Sequence, residues 1–464
     1  MPVTTQSMAR LCRTLLGDDP EIAQLSLGDY LSAIPRLDSL ADVPAGTPVL
    51  VRGDVDSKPG DKIGEGDVRL RSMAATLEFG RGKGWKQIIF GHIGRKPEGS
   101  LKAVGKRLGE LLKCEIPLVG DWLDESSLTV RKEAADAIAA APPGGIVLLE
   151  NARKYDIERV LWKAKPQDAD QLAERLAKLA NEMAAKLAQV YVNEALSAGS
   201  VDASTTAVPL AMDRVALGSY VAAEFDGPMQ RCLGAQLVVF SGLKTDKLDD
   251  LEAMIARGTI RWVFTAGSLA MALKKAAAEL DGTQFALGIA ENPDHKDKPY
   301  YIARERVDQA KRMLSEGRAK GIRFVLPVDF VLQDGRTSEQ IGADDQQFDV
   351  GPKTSELFAE QVGAFIAEQK AAGQGAVAFH NGVFGMFEDS RFEDGTRKFI
   401  SQLKRMKDAG VEVYVGGGEG GAALERYGQP DWVTHCFTAG GTVLNALGSN
   451  PVPYLQALRL AAKG

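Results

Sequence analysis

The stretch Ile88-Ile89-Phe90-Gly91-His92-Ile93-Gly94-Arg95-Lys96 decides how the rest of the chain is read. Its first three residues are β-branched or aromatic, the kind of short apolar run that becomes a buried strand. Glycine breaks the run, and His92, Arg95 and Lys96 follow at once. In an open parallel sheet, ligands bind just past the C-terminal ends of the strands. A tip bearing one imidazole and two cations suits an anion, above all a phosphate. A single such loop is commonly no more than a solvated basic turn. Recurrence of the same pattern along the chain is what sets it apart from such a turn.

The pattern recurs on both sides of this stretch. Upstream, Pro48-Val49-Leu50-Val51 reads as a strand tipped by Arg52-Gly53-Asp54-Val55-Asp56, followed by a glycine-rich loop ending in Asp67-Val68-Arg69-Leu70-Arg71 and then a helix. Downstream, Leu101, Val104, Leu108, Leu111 and Leu112 have helical spacing. Ile146-Val147-Leu148-Leu149 is the next strand, tipped by Glu150-Asn151-Ala152-Arg153-Lys154. A long helix from about Asp168 puts Leu172, Leu176, Leu179, Met183 and Leu187 on one face, and Val190-Tyr191-Val192 follows as a strand ending in Asn193-Glu194. Strand, helix, strand at this rhythm implies right-handed crossovers and a parallel sheet.

The rhythm pauses from Pro209 to Leu233, a mixed and helical stretch expected to connect two domains. It then restarts. Strands are expected at Leu237–Phe240, Trp262–Phe264, Phe324–Leu326, Ala376–Phe379, Val411–Val415 and Val433–Phe437. Glu291 to Lys298, charged and proline-containing, reads as a surface loop. The first half carries arginine, histidine and aspartate at its tips; the second carries glycine, asparagine and lysine. Arginine clamps a small, highly charged anion, whereas glycine-rich turns let backbone N–H groups approach a polyphosphate. This division suits an acceptor half and a nucleotide half, and hence phosphoryl transfer across a cleft that excludes water.

Composition removes several other classes. The chain has 464 residues, 45% hydrophobic and 25% charged, which suits about two to three soluble globular domains. A net charge of -6 disfavours general nucleic-acid binding. The four cysteines form no CxxC pair, so neither a zinc site nor a disulfide framework is expected, and a reducing cytoplasmic location fits. No apolar run approaches the roughly 18 residues of a membrane span, and residues 1–19 lack the apolar core of a signal peptide.

Individual signals point the same way. Gly416, Gly418 and Gly421 satisfy GxGxxG after a strand, but the next tip, Thr438-Ala439-Gly440-Gly441, lacks the acid that a dinucleotide site requires. There is no GxxxxGK[ST] loop. Lys244 and Lys247 lie between a strand and a helix start, where they serve either phosphate or helix surface. Glu419 in the glycine turn is a candidate Mg²⁺ ligand or a charge favoured by the helix dipole.

Read together and in order, the tips resemble phosphoglycerate kinase, from about Val49 to Leu447. Val49–Asp54 is similar to that family's opening strand, Asp67–Arg71 to its arginine segment, and Gly91–Arg95 to its His-Leu-Gly-Arg loop. Leu149–Arg153, Tyr191–Glu194, Leu326–Asp329, Gly351–Thr354, Asn381-Gly382 with Phe387-Glu388, and Gly416–Glu419 follow in family order. The resemblance implies an α/β protein of two doubly wound, Rossmann-like parallel-sheet lobes joined by a helical hinge. The expected parts are an extension (1–45), a substrate lobe (46–215, completed by 448–464), a hinge (216–235) and a nucleotide lobe (236–447). It implies reversible transfer of a phosphoryl group between ATP/ADP and the carboxylate of 3-phosphoglycerate, giving 1,3-bisphosphoglycerate, with Mg²⁺ and hinge closure, in a cytoplasmic monomer.

The resemblance also implies roles. Asp54, Asp56, Arg69, His92, Arg95 and Arg153 would lie against the phosphoglycerate. Arg69, Lys244, Gly440 and Gly441 would serve the transferring group. Lys247, Asn381, Glu388, Gly416, Gly417, Gly418 and Glu419 would hold the nucleotide, with Glu419 at the metal. The departures are specific. Asp56 stands where the family has asparagine, Val201 where an arginine grips the substrate phosphate, and His380 where it has tryptophan. Glu419-Gly420 replaces Asp-Thr, Ala439 interrupts a triple glycine, and the lysine pair is one residue closer together. They leave two alternatives: a related kinase acting on another carboxylate, and a non-catalytic nucleotide-binding protein.

Overall fold

The computed structural model describes residues 2–17, 25–243, 245–373, 375–448 and 450–462. They form two compact units, Met1–Asp226 with Asn450–Gly464, and Gly227–Ser449. Each is built on a six-stranded sheet in which every pairing is parallel.

The first sheet contains β1 (Pro48–Gly53), β2 (Lys86–Phe90), β3 (Leu118–Val119), β4 (Ile146–Leu149), β5 (Val190–Glu194) and β6 (Arg214–Leu217), in the order β3-β4-β2-β1-β5-β6. Its strands are apolar runs without alternation because both faces are covered: β4 and β5 are buried throughout. Val49, Val51, Ile89, Leu148 and Val192 share one core with Leu77, Val104 and Leu108 from the crossover helices. The helix Ala169–Lys186 buries Leu176, Leu179 and Met183, while Leu172 is only partly covered.

The second sheet contains β7 (Leu237–Gly242), β8 (Trp262–Ala266), β9 (Arg323–Val325), β10 (Val377–Asn381), β11 (Glu412–Gly416) and β12 (His435–Cys436), in the order β9-β8-β7-β10-β11-β12. Trp262 and Phe264 pack with Phe358, Phe365 and Phe399 on one face. In both sheets the order reverses once, between β1 and β5 in the first and between β7 and β10 in the second. Such a switch point opens a crevice at the strands' C-terminal ends.

Several expectations meet a different structure. The pause from Pro209 to Leu233 contains β6, whose register runs parallel to β5. Its four residues, Arg214–Leu217, are too few to show a period beside the proline and glycine around them. The two units divide at Asp226/Gly227, within the stretch 216–235 read as the hinge, in a π-helical turn, Phe225–Met229, that contains Pro228. β3 has two residues and was not anticipated. The run Val433–Phe437 contributes only His435–Cys436 to a strand. The expected loop from Glu291 to Lys298 holds short 3₁₀ turns, Gly288–Glu291 and Pro293–His295.

The described residues among 1–45, expected as an extension, pack into the first unit. The helix Thr5–Leu15 packs on Ala169–Lys186, with Met8, Leu11 and Cys12 buried. Asn181 bonds both backbone groups of Val3, at 2.8 and 3.0 Å. Leu37 and Leu40 join the core. The chain returns to this unit at Asn450, and the helix Pro453–Ala462 buries Tyr454, Leu455 and Leu458 there.

Candidate active site

In the first unit the candidate residues lie at the C-terminal ends of β1, β2, β4 and β5. Asp54, 1% exposed, accepts from the Ser197 hydroxyl at 2.5 Å and the Ser197 N–H at 3.2 Å, which ties the β1 tip to the loop after β5. Arg69 comes from the helix Val68–Ser72. Its Nε is 3.9 Å from Asp54, and its Nη1 is 3.4 Å from the Asp56 carboxylate and donates to the Asp56 carbonyl at 2.8 Å. Asp56 also accepts from the Gly94 N–H at 2.9 Å. The aspartate that replaces asparagine here is thus a brace for Arg69 and for the loop after β2.

The Arg69 segment is anchored from behind. Asp67 is fully buried and accepts from Arg107 at 2.5 Å, Arg71 at 2.8 Å and the Gly64 N–H at 2.9 Å. Arg107 also donates to the carbonyls of Gly60 and Lys62, closing the glycine-rich loop over itself.

His92 and Arg153 lie inside the unit. His92 is 6% exposed, and Arg52 donates to its Nδ1 at 2.7 Å. The same Nδ1 is 3.3 Å from the Asp202 carboxylate, so this nitrogen faces a donor and an acceptor at once. Burial holds its pKa below the ordinary value, the charges of Arg52 and Arg153 add to the depression, and Asp202 opposes it. Arg153 donates to Asp202 at 2.9 Å and to the Gly94 carbonyl at 2.7 Å, and stacks 4.6 Å over the Trp162 ring. Trp162 donates its indole N–H to the other Asp202 oxygen at 2.7 Å. Arg52, 1% exposed, also bonds Ser204 at 2.9 Å, and Ser204 donates to Glu158 at 2.5 Å. Burial and the Asp202 charge push the Glu158 carboxyl up to about 7. Arg95 and Lys96 are exposed, with no ion pair among the described residues.

In the second unit the tips of β7, β10 and β11 converge. The Lys247 ammonium, on the helix Lys247–Ala256, donates to the Ser241 carbonyl at 2.8 Å and to Asn381 Oδ1 at 3.0 Å, spanning the switch point between β7 and β10. Gly382 has φ +98°, and a Cβ there would collide with the Ser241 carbonyl, so only glycine closes this turn. Gly417 has φ +91° and caps the helix Gly418–Tyr427, whose first turn carries Glu419. A Cβ on Gly440 would lie 2.8 Å from Gly417 Cα, so the last tip sits against the glycine turn. Gly441 begins the helix Gly441–Leu447. Glu388 and Glu419 are exposed, and no hydrogen bond joins either to these tips among the described residues. His380 is buried behind the tips, stacked on Phe399 at 5.7 Å, and burial lowers its pKa to about 4. Lys244 lies outside the described residues.

The structure therefore gathers Asp54, Asp56, Arg69, His92 and Arg153 on one unit, and Lys247, Asn381, Gly416, Gly417 and Gly440 on the other. The sequence reading missed Asp202, Glu158, Arg52, Ser197 and Trp162. Arg52 offered a signal, since an arginine closing an apolar strand needs buried partners. Among the described residues no group of three His, Cys, Asp or Glu is placed to hold a metal alone. Among the described residues no helix is long and apolar enough to cross a membrane.

The family model for phosphoglycerate kinase matches residues 40–450. The cytosolic phosphoglycerate kinase 3 of Arabidopsis thaliana is 27% identical over 432 residues, covering 89% of this chain and 95% of that protein. A phosphoglycerate kinase of Clostridium botulinum is 28% identical, with 89% and 96% covered. Among solved structures, phosphoglycerate kinase from Pyrococcus horikoshii aligns with a TM-score of 0.71 at 23% identity, covering 93% of this chain and 100% of that one. The Coxiella burnetii structure aligns at 0.64 and 22%, covering 90% and 98%. A family match over nearly the whole chain, on two parallel sheets whose tips carry the expected residues, makes this chain a member of the phosphoglycerate kinase family.

Proposed function

We propose that the chain transfers a phosphoryl group reversibly between ATP/ADP and the carboxylate of a small acceptor, 3-phosphoglycerate being the acceptor that the family's name supplies. The observation that carries the reading is that both candidate sets lie past the C-terminal ends of parallel strands, within a family match over residues 40–450. The glycine turn before the helix Gly418–Tyr427 offers backbone N–H groups to nucleotide phosphates, and Lys247 adds a cation beside it. Arg69, oriented by Asp54 and Asp56, supplies donors to the charge that spreads over the transferring oxygens. Hinge closure about Asp226/Gly227 brings the two sets together and excludes water.

Glu419 is the carboxylate at the glycine turn, and Mg²⁺ commonly takes one or two protein carboxylates with the rest of its shell from phosphates and water. The residues fit such an ion, which would neutralise phosphate charge when bound with nucleotide. Lys244, three residues before Lys247 in the sequence, is assigned to the transferred phosphoryl group. Its test is Lys244→Ala: turnover falls by about 100-fold or more, while Mg-ADP binding by calorimetry changes less than about threefold. Wild-type turnover in that variant would remove Lys244 from the mechanism.

A further inference from the structure

The chain passes between its two units twice, at Asp226/Gly227 and just before Asn450. On the first-unit side of both passages stands one N-terminal segment, Ser26 to Arg36, which precedes the residues that the family model matches. Ser26 caps the helix Leu27–Ala33 through a capping box with Asp29, which fixes the segment's local shape. Leu31 and Ile34 are buried, and the Pro35 carbonyl accepts from the Leu217 N–H at 2.9 Å, laying Pro35 and Arg36 along the edge of β6. From there Arg36 grips the first passage. Its guanidinium holds Asp226 as a fork, Nε to one carboxylate oxygen at 3.1 Å and Nη2 to the other at 2.8 Å. Nη1 donates to the carbonyls of Leu31 and Ile34 at 3.0 and 2.6 Å, so the fork is fixed at its root. The second passage is held from the same segment. Arg459, on the return helix Pro453–Ala462, donates to the Asp29 carbonyl and lies 5.8 Å over the buried Tyr30 ring. The helix Thr5–Leu15 also packs on the return helix. The two passages meet directly as well: Phe225 and Tyr454, both fully buried, stand edge to face at 6.2 Å.

We infer that Ser26 to Arg36 form a hinge strap, which fastens both passages to the first unit and confines bending to the few residues past Asp226 and before Asn450. Pro228 marks where the first passage gives. It lies in the π-helical turn just beyond the fork and takes one donor from the helical ladder there. A passage free to flex at its root must be ordered each time the units close, whereas a fastened one is ordered already. The effect on transfer rests on the hinge-closure reading above; the fastening itself does not.

The test is amide hydrogen exchange on the full-length chain, read by mass spectrometry, beside steady-state turnover of Mg-ATP with 3-phosphoglycerate. Asp226→Asn takes the charge from the fork and leaves Arg36 its carbonyl bonds. Arg459→Met removes the donor and keeps bulk over Tyr30. The double variant is expected to exchange about three- to tenfold faster over residues 225–229 and 453–462, the range for losing one partly exposed charge-assisted contact at each passage. The strands β1 and β2 keep the wild-type rate. Its kcat falls by a similar factor, while Mg-ADP affinity by calorimetry stays within about twofold, because closure and not nucleotide binding has become costlier. Asp226→Glu, which keeps the carboxylate, exchanges like the wild type at residues 225–229. Unchanged exchange at both passages in the folded double variant overturns the strap. So does a rise spread evenly over the first unit, which would make these contacts ordinary stability. If the double variant does not fold, Asp226→Asn alone, at a half-exposed side chain, decides at residues 225–229. Faster exchange with unchanged kcat overturns the link to closure. A wild type that releases no ADP overturns the kinase reading, and the exchange experiment still decides the strap.

Discussion

Arg69→Ala lowers turnover by about 10²- to 10³-fold, the usual loss when one preorganised donor to transition-state charge is removed. The loss has two parts. The donors that meet the transferring oxygens vanish, and Asp54 and Asp56 lose the cation that balances them, 3.9 and 3.4 Å away. Two uncompensated carboxylates then face an anionic acceptor, so KM for the acceptor rises as kcat falls. Arg69→Lys restores charge without the planar fork and recovers only part of the rate. Steady-state kinetics with varied acceptor check both terms. A variant within about threefold of wild type in kcat would show that Arg69 only shapes the loop.

Arg153→Ala destabilises the first unit by about 3–5 kcal/mol, the cost of leaving one member of a buried ion pair without its partner. Asp202 would remain fully buried beside Trp162, Ser200 and His92, with no guanidinium paired to it. The unfolding transition of the first unit moves to lower temperature or denaturant, while that of the second, which contains neither residue, stays in place. Replacing both partners by apolar residues, Arg153→Met with Asp202→Leu, recovers most of the loss, because neither charge then needs to be desolvated. An Arg153→Ala protein that melts with the wild type would show that the pair is not the desolvated bond described.

Much of this was legible in the sequence because parallel sheets advertise themselves. Strands buried on both faces, such as Ile146–Leu149 and Leu237–Phe240, leave apolar runs that end abruptly in polar tips, and the tips carry the chemistry. Short strands do not advertise: Leu118–Val119 and Arg214–Leu217 are fixed by neighbours already in the sheet, not by their own pattern. The tips told which residues are present but not which way their charges are spent. His92 and Arg153 read as ligands for an external anion; in the fold they lie at 6% and 5% exposure within an internal network. That network is assembled from loops far apart in the chain, with Asp202 meeting Trp162 across 40 positions and Arg153 across 49. No local spacing encodes such a meeting. Asp56 shows the same limit from the other side, since the carboxylate that stands where the family has asparagine pairs with Arg69 and accepts from the Gly94 N–H.

The central claim is that this fold still moves a phosphoryl group to a carboxylate. Its most direct test is ADP release from Mg-ATP by the purified full-length chain, with 3-phosphoglycerate supplied as acceptor and an acceptor-free control. The account predicts ADP release that depends on an added acceptor and is accompanied by an acyl phosphate that hydroxylamine traps. Nucleotide binding without acceptor-dependent ADP release would contradict it.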